Sequence, residues 1–171
     1  MDLRIERTQK NIREAFLRLR AKKPIEKITV KELSEMAYIN KATFYLHYKD
    51  IYDLSDKIEN DLLFKCISTI SVEDFFLEDG CLSLFENFTS ESELFTILFS
   101  GSRIDSSVRK IDKLIKEHIF DKQPELKDDL EFNIKLSTAV YGCYHAFFMY
   151  RDFDADTVIT KLGNLSEKIM S

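Results

Sequence analysis

Apolar residues recur three and four positions apart along most of the chain. Ile12, Phe16 and Leu19 do so near the start, and Leu33, Met36 and Ala37 follow. Val108, Ile111, Leu114, Ile115 and Ile119 repeat the pattern, and Val158, Leu162, Leu165 and Ile169 close it. This spacing lines one face of an α-helix. Strand-like alternation is absent over any useful length, so the pattern predicts an all-α fold of about nine helices. The first is expected over Ile5–Lys22, ended by Lys23-Pro24, and a fourth from Ile51 to near Ile70. Val72–Asp79 reads as a connection. Helices are expected over Cys81–Phe88, Glu91–Phe99 and Asp105–Phe120. Pro124 suits the first turn of an eighth helix that runs to Tyr150. A ninth follows Asp154 or Asp156.

The stretch ITVKELSEMAYINKATFYLHYKDIYDL, from Ile28 to Leu54, carries the densest local signals. Thr29 and Glu32 form a T-x-x-E capping box, which starts a helix at Val30. Ile28 and Leu33 are placed to close a hydrophobic staple across that start. Asn40 caps the next helix, with Ile39 and Phe44 as its staple. Only Tyr38 and Ile39 separate the first helix from that cap, so the two helices must cross steeply. Asp50 caps a third helix, and Asp53 adds an acid to its first turn, where the helix dipole favours it. In the middle helix Phe44 and Tyr48, four apart, point inward. Lys41, Thr43, Tyr45, Leu46 and His47 are left outside. Two short helices with a tight turn, the second with donors on its outer face, form a helix-turn-helix pattern.

Together with the opening helix RTQKNIREAFLRLRAKK and the segment ITVKELSEMA, the string KATFYLHYKD resembles the DNA-binding domain of the TetR family of regulators. The resemblance covers residues 4 to 65; beyond them only length and helical character match. It implies an N-terminal three-helix helix-turn-helix domain over residues 1–50. Residues 51–171 would form a helical effector-binding and dimerisation domain. Two positions depart from the family pattern. Tyr38 stands where the turn usually carries glycine; a bulky residue at positive φ is strained, so either the turn adapts or it stores about 1 kcal/mol or more. Ile51 stands where a lysine often opens the fourth helix, so that phosphate contact is lost or passes to Lys49.

Charge fits this organisation. The chain is acidic overall, at −5, but residues 1–50 carry 12 Lys/Arg against 7 Asp/Glu. The remaining residues carry 13 against 23. A basic head on an acidic body confines phosphate attraction to one end. Cys66, Cys81 and Cys143 are widely spaced and form neither a metal-ligand pattern nor a disulfide framework. The opening MDLRIERTQK lacks the apolar core of a signal peptide, and no apolar run approaches the ~18 residues of a membrane span. A cytoplasmic location is expected, with no cofactor and no metal. Neither GxSxG, a P-loop, HExxH nor a paired-carboxylate signature is present, so enzymatic activity is not expected.

Each candidate contact has a plain alternative as a surface or core side chain. Lys41 opens the recognition helix and suits guanine O6/N7 or a phosphate. Ala42 permits close approach, and Thr43 suits a thymine methyl or a phosphate. Tyr45 and His47 resemble the family's phosphate-contacting pair, which positions the helix without reading sequence. Leu46 on the same helix, Lys31 on the helix before it and Lys49 just after it are further candidate DNA contacts. Thr29 is a cap whose neighbouring amides suit a phosphate. Arg4, Arg7 and Lys10 are weaker candidates for the flanking backbone.

Ala139, Gly142, Cys143 and Ala146 form a small-residue face on the eighth helix, and the stretch AVYGCYHAFFMY is apolar nearly all round. One side is expected to face the core and another a second subunit; the alternative is packing within one chain only. The resemblance implies a homodimer through the last two helices, reading a near-palindromic operator in double-stranded DNA. It also implies a small-molecule effector, and the aromatic content favours an apolar or aromatic one. Phe64, Phe85, Phe95, Phe99, Tyr141, Tyr144 and Phe148 are candidate pocket residues, with His118 and His145 as polar anchors, although aromatics at helical spacing are more often plain core. The expected function is a TetR-type regulator, a repressor released by its effector. The alternative is a protein-interaction module on the same fold with weakened or no DNA binding. Operator, regulated genes and effector are not encoded legibly.

Overall fold

The computed structural model describes residues 3–71, 78–99, 104–150 and 152–171. Among the described residues there are nine α-helices and no strand. They are α1 (Leu3–Arg20), α2 (Val30–Met36), α3 (Lys41–His47), α4 (Ile51–Ile67), α5 (Glu78–Ser90), α6 (Ser92–Phe99), α7 (Ile104–Lys122), α8 (Leu130–Met149) and α9 (Ala155–Met170). Short 3-10 turns occupy Ile25–Lys27 and Pro124–Asp128.

The chain packs as two compact units. The first holds α1, α2, α3, α4 as far as Leu62, and α6 from Glu93. The second holds the end of α4 from Leu63, then α5, α7, α8 and α9. The sequence places the domain divide at residues 50–51, in the loop before α4. The packing divide falls inside α4, because its first turns bury Ile51, Leu54 and Ile58 within the first unit.

In the first unit, α1 supplies Ile12, Phe16 and Leu19, α2 supplies Leu33, and α3 supplies Phe44 to the buried set. Each such side chain contributes roughly 1.5–3 kcal/mol on leaving water. Leu98 and Phe99 of α6 are buried too, and the Phe95 and Phe99 rings lie 5.0 Å apart. Arg20, at the end of α1, is itself buried, and its Nη2 donates to the Leu98 carbonyl at 3.5 Å. In α4 the buried Ser55 hydroxyl donates to the buried Glu59 carboxylate at 2.7 Å.

In the second unit, α9 packs against α5 and α8, and α7 packs against α8. Phe85, Ile159 and Leu162 form a core cluster, with Leu82, Cys143, Ala146, Phe147 and Val158 packed on it. A polar triangle joins α7 to α8. Lys116 Nζ donates to Asp112 at 2.9 Å and to the Ser137 hydroxyl at 2.7 Å, and that hydroxyl donates to Asp112 at 3.0 Å.

Several boundaries differ from the sequence expectation. Pro124 opens the 3-10 turn and not α8; Asp129 caps α8 by accepting from the Phe132 N–H at 3.0 Å. Asn133 Nδ2 holds that turn by donating to the carbonyls of Leu126, Lys127 and Asp129. Of the expected connection Val72–Asp79, residues 72–77 lie outside the described residues, and α5 already begins at Glu78. Asp154 is the cap of α9, accepting from the Thr157 N–H at 2.9 Å.

Candidate nucleic-acid interface

The turn and caps between Thr29 and Asp53 position α3. The Thr29 hydroxyl accepts from the Glu32 N–H at 3.2 Å and starts α2. Only half of the expected capping box forms, because the Glu32 carboxylate pairs with Lys23. That ion pair ties the segment after α1 to α2.

The α2–α3 turn closes as a Schellman motif. The Ile39 N–H donates to the Ser34 carbonyl at 3.0 Å, and the Tyr38 N–H donates to the Glu35 carbonyl at 3.3 Å. The motif requires a left-handed residue after the cap Ala37, and Tyr38 takes it, with φ at 58°. Asn40 then caps α3, its Oδ1 accepting from the Thr43 N–H at 2.7 Å and from the Thr43 hydroxyl at 3.0 Å.

The inner face of α3 is the one the sequence suggests, while Thr43 and His47, expected outside, are only partly exposed. Phe44 is fully buried, and Tyr48, just past the helix end, is nearly so; their rings lie 5.6 Å apart. Burial pushes the Tyr48 phenol above its ordinary pKa. Lys41 and Ala42 are exposed, Tyr45 is 57% exposed and Leu46 82% exposed. Thr43 and His47 are half-buried. Tyr45 stands edge-on to Phe44, at 5.5 Å between ring centroids. The buried pair thus props an outer face of Lys41, Ala42, Tyr45 and Leu46.

Lys57 is a part of this arrangement that the sequence reading passed over. It reaches from α4 to donate to the His47 carbonyl at 3.2 Å and to Asp53 at 3.1 Å. Its Nζ also lies 4.9 Å from the Tyr48 ring centroid. A cation at the carbonyl end of α3 is favoured by the helix dipole. The Asp53–Lys57 spacing of four was visible in the sequence; the reach to His47 was not.

Asp50 caps α4 by accepting from the Asp53 N–H at 2.8 Å. The Asp53 carboxylate accepts from the Lys49 N–H at 3.0 Å. That bond first, then Lys57, holds the Asp53 carboxyl below the usual carboxylate range. The Lys49 side chain stays exposed, as does Lys31 on α2. Ile51, at the start of α4, is buried, so it presents no phosphate contact. Thr29 is exposed at the start of α2, and Arg4, Arg7 and Lys10 are exposed along α1.

Of the candidate effector residues, Phe95 and Phe99 belong to the first unit, and Phe85 to the core of the second. Phe64 is exposed. His118 Nε2 donates to the Ile70 carbonyl at 3.1 Å, and His145 is exposed beside Tyr144. Among the described residues, no group of three or more His, Cys, Asp or Glu is placed to hold a metal ion. No described helix is long and apolar enough to cross a membrane.

No protein-family model matches the sequence, and no curated protein matches it. Among solved structures the chain is similar to the dihydroxyacetone kinase operon activator DhaS. That likeness covers 93% of each chain at a TM-score of 0.57 and 17% sequence identity. The fold is therefore TetR-like: all helical, with nine helices among the described residues.

Proposed function

We propose that this chain is a TetR-type transcriptional regulator that reads a near-palindromic operator with α3 as a homodimer. One observation carries the reading. The outer face of a capped, propped α3 presents Lys41, Ala42, Tyr45 and Leu46 to solvent, while Phe44 and Tyr48 anchor its inner face. In this reading Lys41 supplies base readout, and Leu46 and Ala42 approach the groove floor. Thr43, Tyr45, His47, Lys49, Lys31 and Thr29 position the head on phosphates.

The dimer reading draws on α8. Ile134, Thr138, Gly142, His145 and Met149 follow one another at helical spacing and are all exposed. A Cβ built on Gly142 would meet nothing within 4 Å, so a second backbone has room to approach there. Leu165 of α9 is exposed as well. We assign output to repression by operator occupancy, relieved by an apolar or aromatic effector. The similar solved structure is named an activator, so a reporter assay must establish the sign. Any effector must bind the DNA-competent and incompetent states unequally, or it shifts nothing.

The test is selection of genomic fragments by the purified protein, followed by sequencing. A recovered near-palindromic site supports the reading. Nothing above background at low salt overturns it for the free protein. The second reading is a protein-interaction module, favoured by the exposed Leu46 and Tyr45 on α3. Salt separates the two. Phosphate contacts make affinity fall with a log-log slope of about −0.9 per neutralised phosphate, and a protein partner on an apolar face does not.

A further inference from the structure

Among the described residues Tyr38 is the one non-glycine residue with positive φ, at 58°. The left-handed region costs a β-carbon residue roughly 1–2 kcal/mol, and glycine nothing comparable. Such strain persists where folding recovers it or where function uses it. Folding does not recover it here. The Tyr38 side chain is 93% exposed, so it buries almost no ring surface. The turn itself is held by backbone bonds, Tyr38 N–H to Glu35 and Ile39 N–H to Ser34, which glycine would make equally well. The side chain therefore brings the isolated chain a cost without a return.

Its place in the chain says where a return arises. Tyr38 lies two residues before the cap Asn40 and three before Lys41, at the entry to α3. From this, and resting on the operator-binding reading above, we propose that Tyr38 is a further operator-contacting residue. Its phenol O–H donates to a phosphate oxygen of the DNA backbone beside the groove that α3 enters. The phenol is neutral, so the contact adds affinity without releasing a counterion. It faces the backbone and not a base edge, so it positions the head without reading sequence.

Three proteins test this: wild type, Tyr38→Phe and Tyr38→Gly. Each is measured for binding to the selected operator over a salt series, to a scrambled duplex, and for stability in urea. Tyr38→Phe keeps the strain and the ring and loses only the donor. It is expected to bind both duplexes about tenfold more weakly, with an unchanged salt slope and an unchanged urea midpoint. Tyr38→Gly is expected to bind at least as weakly while unfolding at higher urea. Stability and affinity then move in opposite directions, which a purely structural role does not produce. Wild-type affinity in Tyr38→Phe overturns the proposal and leaves the operator reading standing. Wild-type affinity in Tyr38→Gly does the same. No duplex binding by the wild type at low salt overturns both.

Discussion

Lys57 Nζ of α4 lies 3.2 Å from the main-chain oxygen of His47, the last residue of α3. One ammonium therefore closes the carbonyl end of the helix whose opposite end is closed by Asn40. Replacing it with methionine keeps an unbranched apolar chain and removes both the donor and the charge near the Tyr48 ring. Lys57→Met is expected to cost about 0.5–1 kcal/mol of stability in urea titration. Operator affinity should fall several-fold, because α3 loses its fixed orientation. Unchanged affinity would show that the clamp does not matter to binding.

The same clamp has an acid limit. The Asp53 carboxyl sits below its ordinary pKa of 3.8 through the Lys49 N–H and then Lys57. A carboxyl depressed in the folded state stabilises fully above its unfolded pKa. That contribution is lost as pH falls through the folded value. Asp53→Asn should therefore lower stability at neutral pH and flatten the loss seen below about pH 4. Parallel acid limbs for the two proteins would sink this account.

On the α3 face, three substitutions should separate positioning from reading. Tyr45→Phe and His47→Ala are expected to weaken binding to every duplex alike. Lys41→Ala should also relax preference at one base-pair position, by about 1–3 kcal/mol, and reduce the salt slope if it also neutralises a phosphate. Competition assays with single-base operator variants give the readout. If all three leave affinity untouched, α3 is not the reading element.

Gly142 gives a test of the dimer face that spares the fold. Open space surrounds its Cβ position, so Gly142→Arg is tolerated within the chain and removes the helix cost of glycine, up to about 1 kcal/mol. Across a two-fold interface the same arginine collides with its mate. The variant is expected to sediment at half the wild-type mass while melting no earlier than the wild-type monomer. A dimer unaffected by it would move the interface elsewhere.

Cys66 is buried, and desolvation pushes its thiol up to about 11. It should resist alkylation at neutral pH until the protein unfolds. Cys143, half-buried with its thiol donating to the Leu162 carbonyl, should react sooner. Mass spectrometry of iodoacetamide-treated protein locates the modified residue, and rapid labelling at Cys66 would contradict its burial.

Local signals carried furthest. Thr29, Asn40, Asp50 and Asp154 act as caps because a short acceptor side chain before an apolar run has few other uses. The two-residue gap gave only a steep crossing; Tyr38 stood out because the resembling family carries glycine there, and its φ of 58° is the strained alternative. Pro124 misled, since a fixed φ suits a 3-10 turn as well as an α-helix; Asp129 and Asn133 decide between them. The small face of α8 was half right. Cys143 and Ala146 pack on the core cluster, while Gly142 turns outward. A helix apolar around most of its circumference does not reveal which side meets which neighbour. Lys57 and Arg20 escaped for a related reason, because their partners, His47 and Leu98, are set by tertiary packing.

The Tyr38 backbone also has a thermal meaning. In a domain of about 60–100 residues, 1 kcal/mol moves the melting temperature by about 4–8 °C. A left-handed tyrosine at this turn is thus expected to lower the melting temperature by several degrees against the same turn with glycine. The upper end of the working temperature range would then be set in part by one exposed residue of one turn.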